Sequence, residues 1–158
     1  MKKANGEASA QSDIDKIVQA TIGEARMVLP GIQALFGFQL VAAFNQRFTI
    51  LTATDQYLHY AALIFTAVSA AIIMTPAAYQ RIAERYTNST DFVRIASRLV
   101  AVAMIPLMLA ICADVYLLGL MITESTIVSS LIGFSLLALL SGLWFVFPFA
   151  AARRNRDG

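Results

Sequence analysis

The sequence predicts an all-α integral membrane protein: a bundle of four transmembrane helices, preceded by a short N-terminal amphipathic helix. Composition is the first observation behind this. Hydrophobic residues make up 58% of the 158-residue chain and charged residues only 14%, whereas a soluble domain carries about a quarter charged residues. Mean hydropathy is +0.67, which also excludes the apolar-poor chemistry of disordered chains. The second observation is four apolar stretches, each near the roughly 20 residues that cross a hydrocarbon core of about 30 Å. The third is the placement of basic residues, 11 of the 12 falling on one side of the resulting topology. One domain is the natural count for this length.

The chain divides into a cytoplasmic tail over 1–23, a four-span domain over 24–152 and a basic cytoplasmic tail over 153–158. Met1-Lys2-Lys3-Ala4-Asn5-Gly6-Glu7 has no apolar run behind its lysines, so a cleaved signal peptide is not expected. Ser12 and Asp15 stand in a pattern like a capping box, with Asp13 adding favourable charge at the start of a helix. Ile14, Ile17, Val18, Ile22 and Ala25 then share one face. A short helix lying on the inner leaflet fits this spacing; the alternative is a simple extension of the first span.

The first span runs from about Met27 to Asn45, the second from about Tyr57 to Tyr79, the third from about Ile95 to Leu120 and the fourth from about Ile127 to Ala152. The runs are continuous and lack the period-two alternation of barrel strands, so they are helices. Lys2, Lys3, Lys16 and Arg26 precede the first span; Arg81, Arg85, Arg94 and Arg98 flank the second connection; Arg153, Arg154 and Arg156 follow the fourth span. Only Arg47 lies opposite, so the positive-inside rule puts both termini in the cytoplasm. Met121 to Thr126 is too short a link for anything but an antiparallel hairpin of spans three and four.

Asp114 is the residue that most invites a function. It sits in the outer half of the third span, and an acid there costs a few kcal/mol on insertion scales. Ala110, Ala103 and Ala96 share its face, and small residues let another helix approach closely. Asp114 is therefore expected to point into the bundle, either as a proton or cation site or as a structural acid paired to a neighbour. His59, the single histidine, lies at about the same depth in the second span, with Thr66, Ala70 and Ala77 on its face. A His–Asp pair between spans two and three is geometrically reasonable, and imidazole is the side chain suited to exchanging a proton near neutral pH. The bland alternative is a hydrogen-bonded histidine at headgroup level.

In the first span Arg26, Pro30, Gln33 and Gly37 line one face, while Gln39 and Gln46 share another. Amides in hydrocarbon need partners. Gln33 and Gln39 therefore either line a hydrophilic path or tie helices together. Ser129 with Gly133, and Ala138 with Gly142, form small-xxx-small pairs that read as packing or oligomer contacts. Arg81, Arg85, Arg94 and Arg98 form two i, i+4 pairs at the inner face beside Glu24, Glu84 and Asp91. They bind lipid phosphates or simply snorkel and set the topology. Pro76 and Pro106 place helix breakers within spans two and three.

Other chemistries lack their residues. Cys112 is the lone cysteine, so no intrachain disulfide, thiol redox pair or cysteine-rich zinc site is expected. One histidine makes no metal or bis-imidazole haem site within one chain, and no cofactor is expected. No GxSxG, HExxH, P-loop or GxGxxG pattern occurs, so the chain is not expected to be an enzyme. A net charge of +2 is too small for nucleic-acid binding. A small multidrug transporter would carry an acid in its first span, and this span has none.

The run Glu24-Ala25-Arg26-Met27-Val28-Leu29-Pro30-Gly31-Ile32-Gln33-Ala34-Leu35-Phe36-Gly37-Phe38-Gln39-Leu40 resembles the start of an uncharacterised family of small bacterial four-span membrane proteins. Pro76-Ala77-Ala78-Tyr79-Gln80-Arg81 and Arg94-Ile95-Ala96-Ser97-Arg98-Leu99 are similar to the same family, and the likeness covers roughly Thr21 to Leu120. The family is filed as a domain of unknown function, and some members bear the label sodium:proton antiporter. Its usual histidine at the position of Gln80 is not present here. The resemblance implies a multi-pass protein of the bacterial inner membrane.

Two functions are expected. The first is a small oligomeric channel or transporter for protons or monovalent cations, with Asp114 and His59 as the site, Gln33 and Gln39 along a path, and small-residue faces joining the copies. The alternative is a non-catalytic membrane subunit or scaffold packed against a larger complex.

Overall fold

The computed structural model describes residues 16, 20, 23, 27–83 and 90–154. These residues form an all-α protein without strands. Helix α1 is Met27–Ala43, followed by a 3-10 turn at Gln46–Ile50 and by α2 at Ala53–Ala83. Helix α3 is Thr90–Thr123 and α4 is Thr126–Ser141, which passes through a π-helical turn, Gly142–Val146, into α5 at Phe147–Arg154. The amphipathic helix expected between Ser12 and Ala25 lies almost wholly outside the described residues, as do Arg26, Arg85 and Arg156.

Three spans are long and apolar enough to cross a bilayer: Ala53–Tyr79, Arg94–Thr123 and Thr126–Arg154. Helix α1 is shorter, and its 17 residues reach about 25 Å. Local chemistry sets the helix starts. Thr52 and Asp55 cap α2 reciprocally: the Asp55 N–H donates to Thr52 Oγ1 and the Thr52 hydroxyl donates to Asp55 Oδ2. Ser125 caps α4 by accepting from the Val128 N–H. Glu124, at a φ of 51°, turns the chain between α3 and α4.

Pairs of touching residues give the directions. His59 meets Asp114 and Ser69 meets Ala103, so α2 and α3 run antiparallel. Gly119 faces Ser129, Gly133 faces Tyr116 and Cys112, and Ser141 meets Met108, so α3 and α4 are antiparallel as well. Ile32, Ile73, Ala103 and Leu107 form the apolar centre, with Trp144 of the π turn packed against it. Helix α1 and the three spans therefore meet at one cluster.

The pattern of burial is that of a protein made for lipid. The largest fully buried side chains are Thr66, Ser69 and Ser129, while Phe44, Ile82 and Ile127 are 88%, 86% and 75% exposed. Small and polar inside, large and apolar outside is the arrangement that membrane packing favours, and water would penalise it. This is a multi-pass membrane protein.

The small-residue faces are used within the chain. Ala96, Ala103 and Ala110 are buried along α3. A methyl group at Gly119 would come within 3.2 Å of Ser129 Oγ, so α3 and α4 approach through Gly119, Ser129 and Gly133. Ala138 and Gly142, the second expected pair, make no comparable approach: nothing lies within 4 Å of where a Gly142 side chain would begin. Both prolines sit inside continuous helices. Pro106 has no N–H for the carbonyl of Val102, and one residue on, the Ala103 carbonyl accepts the Ser69 hydroxyl at 2.9 Å.

Candidate functional site

Near the end of the bundle that carries Arg47, three helices contribute one polar side chain each. Gln39 stands one turn before the end of α1, His59 lies six residues into α2, and Asp114 lies nine residues before the end of α3. Because α1 and α3 run against α2, these offsets bring the three to one level. Gln39 and His59 are 3% and 7% exposed, and a fifth of the Asp114 side chain is exposed.

Gln39 Nε2 donates to Asp114 Oδ2 at 2.7 Å. His59 Nδ1 faces the other carboxylate oxygen, Oδ1, at 3.6 Å, and His59 Nε2 lies 2.9 Å from the backbone oxygen of Gln39. A carbonyl oxygen only accepts, so Nε2 carries a hydrogen and donates. Nδ1 of a neutral ring would then be an acceptor aimed at a carboxylate, itself an acceptor. At 3.6 Å the two groups stand just beyond hydrogen-bond reach, and one proton held between them, on Nδ1 as an imidazolium or on Asp114 as a carboxylic acid, makes the pair complementary. Either way the pair is neutral overall, which is what a low-dielectric setting requires of buried ionisable groups. Gln39 Oε1 is buried without a partner.

The 3-10 turn closes the site from the end of the bundle. The edge of one ring meets the face of the other between Phe48 and His59, with centroids 5.1 Å apart at 67°. Gln56 Nε2 reaches back to the carbonyls of Phe48 and Leu51. Arg47 spans to the Met121 carbonyl near the C-terminal end of α3, a favourable place for a cation.

Two cavities lie at this end of the bundle, one of them lined by the triad. One of about 250 Å³ is bounded by Gln39, His59 and Asp114 and otherwise by apolar side chains, among them Leu35, Phe38, Phe48 and Leu117. The other, about 660 Å³, lies toward the connections, with Arg47, Asp55, Glu124 and Tyr116 in its wall. Leu51 and Met121 border both.

The structure thus brings together Asp114, His59 and Gln39 of the residues singled out from the sequence. Gln33 stands apart, exposed on the outside of α1 with Gly37. Arg81, Arg94 and Arg98 lie exposed at the opposite end of α2 and α3. Sequence reasoning missed Phe48 and Leu51, whose roles depend on the 3-10 turn; the Asn45 side chain that accepts from the Arg47 N–H at its start was a usable signal. Among the described residues no group of His, Cys, Asp and Glu has the makings of a metal site.

Against known families, residues 7–148 match the model described as "Family of unknown function (DUF6328)". No curated protein and no solved structure matches.

Proposed function

The chain belongs to the family DUF6328, and we propose that it is a small proton-handling transport protein of the bacterial inner membrane. One observation carries the reading: His59 Nδ1 and Asp114 Oδ1 face each other at 3.6 Å while Nε2 is committed to the Gln39 carbonyl, which sets a base and an acid side by side with room for one proton between them. Asp114 is the group that gains and loses it, or exchanges it for a monovalent cation. His59 is its acid–base partner, and the Gln39 amide holds the carboxylate in place. Ionisable groups buried among membrane helices are expensive and mark proton and ion routes.

The basic residues support an orientation with both termini in the cytoplasm, which puts the triad near the external face. Arg81, Arg94 and Arg98 then face the inner headgroups, where snorkelling to phosphates is favourable. Gln33, exposed on α1 beside Gly37, supports homo-oligomerisation through α1, because an amide facing lipid gains from a partner on a second copy. The label of sodium:proton antiporter on resembling proteins accords with this class of activity. The reading is of transport and not of catalysis.

Proteoliposomes carrying wild type or Asp114→Asn test it, with proton, sodium and potassium flux followed in parallel. Flux abolished in a folded Asp114→Asn protein is the expected result. Equal flux in both removes Asp114 from the path.

The second reading is a non-catalytic subunit of a larger membrane complex. It draws on α4, whose Ile127, Leu131, Phe134 and Leu139 are exposed over its whole length. No flux from folded protein, together with a partner captured through α4 in native membranes, would favour it.

A further inference from the structure

The chemistry of the smaller cavity specifies what the proposed transport site takes besides a proton, an inference that rests on the transport reading. We infer that this cavity binds a protonated amine with a small apolar body, the ammonium group against Asp114.

The argument begins with the polar groups. Asp114 is the acid of the cavity wall, and its side chain is the part of the triad left accessible, a fifth exposed. The Gln39 amide gives its N–H to that carboxylate, which leaves Oε1 an acceptor without a donor. A carboxylate exposed in a largely apolar wall calls for a ligand that brings both positive charge and N–H groups. A bare metal cation would want several oxygen ligands in a cage, and apart from the triad the wall is apolar.

That carbon selects the remainder of the ligand. Leu35, Phe38, Phe48 and Leu117 surround the polar end, and aromatic faces favour an organic cation over a hydrated one. The wall includes Phe38 and Leu118, 74% and 57% exposed. The cavity therefore opens on the apolar flank where α1 and α3 lie side by side. An amine with an apolar body partitions into the acyl region and meets that opening laterally. At about 250 Å³ the space lies just below the usual range for drug-sized ligands, about 300–1,000 Å³, so the body is small.

Entry of such a cation makes the proton held between His59 and Asp114 redundant. The ammonium takes the place of that proton, donating to the carboxylate and to the freed Nδ1 lone pair, the proton leaves to water, and imidazole, carboxylate and ammonium together again carry zero net charge. One cation exchanges for one proton.

The test uses the purified full chain in lipid nanodiscs and three probes of similar size: benzylammonium, benzyltrimethylammonium and benzyl alcohol. Calorimetric titration is expected to show saturable binding of benzylammonium, with about one proton released per ligand, read from the dependence of the heat on buffer ionisation. Benzyl alcohol is expected to bind about tenfold more weakly or worse, and the trimethylated cation, which has no N–H for the carboxylate, to fall between. These comparisons are made on the wild-type chain and need no variant to fold. Asp114→Asn is expected to lose the preference for the cation, and thiol protection of the buried Cys112 reports whether that variant is folded. Benzyl alcohol binding as tightly as benzylammonium, or binding of the amine without proton release, overturns the inference. Proton or metal-cation flux that depends on Asp114 without any amine binding overturns it while leaving the transport reading standing. Amine binding with proton release but no flux of any kind keeps the site and overturns transport.

Discussion

The carbonyl oxygen that receives His59 Nε2 at 2.9 Å belongs to the backbone of Gln39. No side-chain substitution at position 39 removes that anchor, while the bond from the Gln39 amide to Asp114 is lost at once. The two halves of the triad are therefore separable by mutation. In Gln39→Leu the imidazole is expected to keep its Nε2–H. Because His59 is the single histidine, nitrogen NMR of labelled protein reads its tautomer from one set of signals. A ring that changes tautomer in this variant would mean that the side-chain amide, not the carbonyl, orients it.

Removing either member of the His59–Asp114 pair leaves the other without its complement. His59→Leu and Asp114→Leu are each expected to lower stability by about 2 kcal/mol, below the usual 3–5 for a fully buried pair because Asp114 is partly exposed. The double variant should lose about 1–2 kcal/mol less than the sum of the singles. Cys112 is buried and alone, so its reaction with a thiol dye during unfolding follows all four proteins. Strict additivity would show that the two groups do not interact.

Gly119 sets how closely α3 and α4 approach. A side chain there meets Ser129, whose Oγ donates to the Ser125 carbonyl at 2.9 Å and so has little room to yield. Gly119→Val is expected to cost about 1–3 kcal/mol through overpacking, whereas Gly37→Ala, with nothing within 4 Å, should cost nothing measurable. The same unfolding assay compares them.

Gln33 faces outward from α1. If copies associate through this face, Gln33→Leu weakens the oligomer without disturbing the triad, and chemical crosslinking in membranes shifts toward monomer. An unchanged crosslinking pattern would place the contact elsewhere.

The meeting of Asp114 and His59 was legible in the sequence because each is the sole residue of its kind within the spans, at similar depth, on a face of small residues. Ala96, Ala103 and Ala110 marked the buried side of α3 correctly. Gln39 was visible as a polar burden but not as the third member, since its offset from Asp114 depends on how far α1 slides along α3. Gln33 looked equivalent to it in residue type, and only the rotation of α1 separates the buried amide from the exposed one. The 3-10 turn that brings Phe48 to His59 left only the weak signal of Asn45. The π turn left none, since hydropathy runs unbroken through Gly142-Leu143-Trp144-Phe145-Val146.

That turn has a consequence for how the fourth span tolerates change in length. A π turn holds one residue more than the α-helix around it, so it sets everything beyond back by about 100° of rotation relative to an uninterrupted helix. Ser129 and Gly133 sit on its near side and Arg153 and Arg154 on its far side. Deleting one residue between Leu143 and Val146 would relax the bulge into ordinary helix and leave the seam with α3 untouched. The price falls on Trp144, whose indole reaches the Ile32–Leu107 cluster from within the bulge. A single-residue deletion is thus absorbed here at the level of one side chain, where elsewhere in the span it would turn everything beyond by about 100° and carry lipid-facing residues toward the protein.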